Sequence, residues 1–138
     1  MSDDCIFCKI LRGELPSARV YEDENVLAFL DIAPVRPGHT LVIPKLHAET
    51  LMDLPAEPAG ALGAALPKIA TAVMKGVGAE GLNIFQANRP CAGQVVFHVH
   101  FHLIPRNEND GIHFLPPQSS YADGEMDKVA AAIQAAFA

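Results

Sequence analysis

Phe97-His98-Val99-His100-Phe101-His102-Leu103-Ile104-Pro105 carries an imidazole at every second position. Its apolar, β-branched and aromatic residues predict a β-strand over 97–105, stopped by Pro105. Side chains alternate across a strand, so His98, His100 and His102 share one face. Val99, Phe101 and Leu103 share the other, which belongs in a core. Imidazoles need hydrogen-bond partners and change charge near neutral pH, so packing alone explains such a face poorly. One chemical reading is a metal site. Same-face neighbours lie about 7 Å apart and the outer pair about 13–14 Å. With Zn–N bonds of about 2 Å, one ion reaches two adjacent rings but hardly three. The other reading is nucleophilic catalysis by His100, with its neighbours fixing orientation and tautomer. The bland reading is a buried polar stripe satisfied by water or a partner, which is costly to keep without a function.

Further chemistry-bearing residues lie outside this stretch. Cys5 and Cys8 have the spacing of half a zinc site. A redox dithiol is the rival reading, but that pair usually follows a strand and only four residues precede this one. His47 follows the predicted strand His39-Thr40-Leu41-Val42-Ile43, which ends at Pro44. The connection Asn88 to Gln94 precedes the histidines. Glycine there allows close approach to a phosphate, which adjacent amides can cradle.

The elements that would position these groups follow from pattern. Residues 5–12 read as a short helix ended near Gly13. Ala18–Tyr21 and Val26–Asp31 read as strands joined by a polar turn. Pro37-Gly38 suits a type II turn. Asp53–Val77 has apolar residues at helical spacing, with Pro67 expected to kink it, and packs on one sheet face. Leu82–Ala87 is a strand neighbouring the histidine strand. Residues 106–121 form a loop, in which His113 is assigned no role. Asp123–Phe137 forms a C-terminal helix with Met126, Val129, Ile133 and Phe137 on one face.

The pattern His-φ-His-φ-His-φ-φ (φ, apolar), preceded by Ala92-Gly93-Gln94 and followed by Pro105-Arg106, resembles the signature of the histidine triad (HIT) family, most closely its Hint-like bacterial branch. The resemblance covers roughly residues 4–106. It implies an α+β fold with an antiparallel sheet of about five strands, with the histidine strand inside it, in one domain over 1–138. It also implies a purine nucleotide substrate and cleavage of nucleoside phosphoramidates or related phosphate anhydrides through a nucleotidyl-His100 intermediate. His102, His98 and His39 would assist. The base pocket would be Phe7, Ile10, Phe29, Ile32 and Leu41, although a core role suits Leu41 as well. Asp31 would hold the ribose hydroxyls. Asn88, Gly93, Gln94 and Val95 would meet the phosphate with His100 and His102. Zinc would be structural, on Cys5, Cys8, His47 and His98, and would not enter the phosphoryl step. Relatives often carry glycine at position 89 and a hydroxyl residue at 95; this chain has Arg89 and Val95. Similar proteins are homodimers with a continuous sheet.

At 138 residues with half of them apolar, the chain can bury a core. No apolar run approaches a membrane span, and Met1-Ser2-Asp3-Asp4 does not open a signal peptide, so a cytoplasmic protein is expected. A net charge of −6 argues against a nucleic-acid partner without excluding a small anionic ligand. Three cysteines suit a metal better than a disulfide scaffold. Two rival functions remain: a nucleotide- or metal-binding regulatory module with little turnover, and a metal-dependent hydrolase.

Overall fold

The computed structural model describes residues 1–137. One antiparallel sheet carries the fold, with strands β1 (Arg19–Glu22), β2 (Val26–Leu30), β3 (Thr40–Pro44), β4 (Gly81–Gln86) and β5 (Phe101–Arg106) in the order β1-β2-β3-β5-β4. The histidine stretch therefore feeds an internal strand, as expected. Helix α1 (Ile6–Leu11) covers one face and α2 (Ala56–Val77) the other.

Strand alternation divides the core into two layers. Val26, Ala28, Val42, Val99 and Leu103 pack against Leu62, Ala65, Ile69 and Val73 of α2. Leu27, Phe29, Leu41 and Ile43 point the other way and meet Phe7 and Ile10 of α1. The three histidines belong to this second face. Gly38, at φ 96°, makes the Pro37-Gly38 turn; a Cβ there would lie 2.8 Å from Val77 Cγ1, so the turn also fixes how closely α2 approaches.

Two expectations need correction. Pro105 does not end β5; Arg106 does. The Arg106 carbonyl accepts from Glu80 N–H beside β4, so the Pro105 main chain faces the other side. There β3 pairing has already stopped at Thr40–Leu103, and no donor is missed. Residues 97–100 are not strand. Val99 N–H bonds the Ala48 carbonyl instead of β3, and the chain bends at 96–98. Helix α2 continues through Pro67 as one element. Pro67 lies on the exposed side, where water can serve the carbonyl that it leaves free. The C-terminal helix α3 (Glu125–Ala135) forms, but Met126, Val129 and Ile133 on its apolar side are exposed.

Candidate active site and metal centre

The bend at 96–98 decides which nitrogen of each ring is free. His98 is fully buried, and its Nε2 lies 2.8 Å from the Pro44 carbonyl. A carbonyl only accepts, so Nε2 carries the proton and Nδ1 offers a lone pair. That Nδ1 lies 3.5 Å from Cys5 Sγ, 3.7 Å from Cys8 Sγ and 3.2 Å from His47 Nδ1. Cys8 Sγ is 3.4 Å from His47 Nδ1. A tetrahedron with zinc bonds of about 2.0–2.3 Å has edges of about 3.3–3.8 Å. The four atoms match those edges closely, and two thiols with two imidazoles are a zinc donor set. Cys5 caps α1, its Sγ accepting from Cys8 N–H, so a shared ion would tie that helix to the sheet. Burial pushes the Cys5 thiol pKa up and that of His98 down to about 4.

His100 reverses the arrangement. Its Nδ1 donates to the His98 carbonyl at 2.7 Å, leaving the Nε2 lone pair unspent. Burial lowers its pKa, partly offset by that hydrogen bond, so the ring is held neutral near pH 7. His102 is set by a neighbour. Val35 N–H donates to His39 Nδ1 at 3.1 Å, so neutral His39 carries its proton on Nε2. That proton is given to His102 Nδ1 at 2.9 Å, which places the His102 proton on Nε2. Burial, then the nearby His100 and His39, lower His102 to about 4, and burial lowers His39. Asp31 Oδ2 stands 3.6 Å from His39 Nε2, while Oδ1 accepts from Ala33 N–H. Asp31, His39 and His102 form a second cluster of metal-binding types. The 2.9 Å separation between its two ring nitrogens is a hydrogen bond and is shorter than a tetrahedral edge of about 3.3 Å.

Rings 100 and 102 open into a cavity of about 700 Å³ between α1, β2, β3 and the segment 93–96. Phe7, Ile10, Phe29, Asp31, Ile32, Leu41, Gly93 and Val95 line it. Phe7 stands edge-on to both Phe29 and His100. Asp31 is the only charged residue of the lining. A mostly apolar hollow with a few convergent polar groups is the form of a small-molecule site. A smaller hollow of about 500 Å³ lies on the α2 side, away from the histidines.

A HIT domain model matches residues 12–109. The chain belongs to the HIT family. It is 52% identical over 111 residues to Protein hit of Bacillus subtilis, covering 80% of this chain and 77% of that one. It is 46% identical over 109 residues to Adenosine 5'-monophosphoramidase hnt1 of Schizosaccharomyces pombe, covering 78% of this chain and 79% of that protein. The match to Adenylylsulfatase HINT3 of Arabidopsis thaliana is 44% over 110 residues and covers 80% of this chain; it spans only 56% of that longer protein. A Streptococcus mutans crystal structure superposes with TM-score 0.95 at 44% identity, over 100% of this chain and 88% of that one. A zinc-bound histidine triad family protein from Mycobacterium smegmatis superposes with TM-score 0.76 at 39% identity, over 96% of this chain and 97% of that one.

Two expected nucleotide contacts of this HIT site, Asn88 and Gln94, do not line the cavity. Gln94 is buried and braces the loop. Its Oε1 accepts from Arg89 N–H at 2.6 Å, and its Nε2 donates to the Glu49 and Val96 carbonyls. Asn88 Oδ1 accepts from Leu51 N–H. Both hold the wall in which Gly93 and Val95 stand. Sequence reasoning missed Ile6, Leu15, Pro16, Ser17, Leu30, Ala33 and Val96 in the lining. Leu15–Ser17 lack any periodicity that would mark them, whereas Val96 could have been found as the neighbour of Val95.

Proposed function

We propose that this HIT protein cleaves purine nucleoside 5'-phosphoramidates or related phosphate anhydrides through a nucleotidyl-His100 intermediate. The observation that carries the reading is the His100 tautomer: Nδ1 is committed to the His98 carbonyl and Nε2 faces the cavity as a neutral lone pair. That nitrogen attacks the α-phosphorus, and the bond to the leaving group breaks with its electron pair. An amine takes a proton from solvent as it departs, while His102 Nε2–H donates a hydrogen bond to the departing atom. Water then attacks the phosphorus, the P–N bond returns its pair to Nε2, and the nucleoside monophosphate leaves. Two easier displacements replace one difficult one. Two relatives, a monophosphoramidase and an adenylylsulfatase by name, represent both leaving-group types, an amine and a sulfate.

The base would lie between Phe7, Ile10, Phe29 and Ile32, with the ribose on the free Asp31 Oδ2. Main-chain amides at Gly93–Val95 would meet the phosphate. Zinc on Cys5, Cys8, His47 and His98 would supply a structural crosslink, supported by tetrahedral spacing and by the zinc-bound relative. We read residues 1–138 as one HIT unit that acts as a cytoplasmic homodimer without nucleic-acid or membrane partners. Support for pairing comes from the edge strand β4, whose Ile84 and Phe85 are exposed. Among the described residues no helix is long and apolar enough to cross a membrane.

Rapid alkaline quench of the protein with an adenosine 5'-phosphoramidate, followed by peptide mass spectrometry kept at high pH because a P–N bond to imidazole hydrolyses in acid, tests the mechanism. The expected result is one adenylyl group on the peptide holding His100. Tight AMP binding with neither adduct nor turnover would replace the enzyme by a binding module.

A further inference from the structure

Arg89 stands at φ 77° and ψ 156°, a region that is essentially glycine's own. The other non-glycine residue with positive φ among the described residues is Asn109, a residue type that tolerates left-handed φ. Everything that holds Arg89 acts through its main chain. Its N–H donates to Gln94 Oε1, and its carbonyl accepts from Ala92 N–H at 3.1 Å and Gln94 N–H at 3.2 Å. Glycine would make all three bonds without strain. What arginine adds at this position is therefore its guanidinium.

That guanidinium is exposed, and no ion pair or hydrogen bond occupies it among the described residues. It acts on Asp53 only at a distance, and the Asp53 carboxylate is already taken by the hydroxyl and N–H of Thr50. The Arg89 N–H donates to Gln94, whose neighbours Gly93 and Val95 line the cavity, so its main chain adjoins the segment that forms the wall. The lining itself holds one carboxylate and no cation. In an in-line displacement the leaving group departs opposite the attacking atom. Here that means away from the buried His100 ring.

We propose that Arg89 determines leaving-group preference, donating to an oxyanion leaving group and favouring nucleoside 5'-phosphosulfates or phosphoanhydrides over phosphoramidates. This rests on the reaction proposed above. As His100 Nε2 bonds to phosphorus, the bridging P–O bond breaks with its pair on oxygen. Sulfate leaves as a dianion that needs no proton but gains from a fixed fork of N–H donors. An amine leaving group has no such charge to meet.

The test is the ratio of kcat/KM for adenosine 5'-phosphosulfate to that for adenosine 5'-phosphoramidate, measured on the full chain. Arg89→Gly should raise Tm by about 3–6 °C, because the strain is relieved, while the ratio falls about tenfold. Arg89→Ala should lose the ratio without the gain in Tm, and Arg89→Lys should keep most of it. A ratio within twofold of wild type in Arg89→Gly, or retained in Arg89→Ala, overturns the proposal. Calorimetry in a His100→Ala background separates it from the covalent mechanism. There Arg89→Gly should lose the same tenfold preference in Kd between the two nucleotides. If wild type turns over neither while that loss is seen, the covalent reading fails and the role of Arg89 stands. An unchanged Kd preference overturns the role of Arg89.

Discussion

His98 and His100 sit two residues apart on one face, yet the main chain takes opposite nitrogens from them. The Pro44 carbonyl takes Nε2 of His98 and turns Nδ1 toward two thiols. The His98 carbonyl takes Nδ1 of His100 and turns Nε2 toward the cavity. The difference is not in residue type or burial, since both rings are buried. It lies in which carbonyl each ring can reach. A regular strand over 97–105 would have paired residue 99 with β3; the bend to Ala48 frees Pro44 to act as the acceptor. One half of the stretch becomes a fastener and the other a reactive group.

The largest effect that follows from this division is at His100. Its replacement by Ala should lower turnover of a nucleoside phosphoramidate about 10⁴-fold or more while AMP binding stays within a few fold. Binding would still come from the apolar walls and Asp31. Single-turnover kinetics beside calorimetry makes the comparison. Near-normal turnover would erase the distinction between the two rings.

His102→Ala should cost less, about 10²-fold, because it removes a hydrogen bond to the departing atom and not the attacking one. His39→Ala acts one step further away. It leaves His102 Nδ1 without its donor and frees the tautomer, so a loss of about tenfold is expected. If His39→Ala matched His100→Ala, the assignment of roles along the hydrogen-bonded chain would be wrong.

On the fastener side, Cys8→Ser should lower Tm by on the order of 10 °C and reduce zinc content, read by elemental analysis with calorimetry. Its effect on KM should be smaller than that of any cavity substitution, since Cys8 does not line the cavity. Equal losses in KM and Tm would show that the two halves do not work separately.

Much of this arrangement is legible from residue order. Period-two alternation places Val99 and Leu103 against α2 and the histidines opposite, as found. Cys5, Cys8, His47 and His98 converge although 93 residues separate the first from the last. The bend at 96–98 is not legible, because it depends on a carbonyl that β3 leaves free some 50 residues away. Nor is the bracing use of Gln94, since glutamine beside a glycine reads equally well as a ligand contact. Arg89 gives the reverse case: its type hides a backbone conformation that glycine would have advertised. The exposed side of α3 belongs here too, for its apolar spacing fixes a helix but not what covers it.

The smallest effect concerns pH, and it tests the cavity side alone. Burial first, then nearby His100 and His39, hold His102 near 4, against about 6.5 in an unfolded chain. Between those values the unfolded chain binds a proton that the folded protein does not. Stability therefore rises with pH across this window and falls as pH drops from about 6.5 to about 4. Below 4 both states are protonated and the contribution levels off. His39 shifts the same way, with Asp31 opposing it, so the two rings act together. Because His102 is only partly buried, a loss of about 2 kcal/mol across the window is expected from it. His102→Gln cannot titrate, and its Tm should decline less steeply between pH 6.5 and 4 than that of wild type. Parallel declines would mean that His102 is solvated well enough to keep an ordinary pKa. The neutral tautomer that its bond to His39 implies would then not persist below neutral pH.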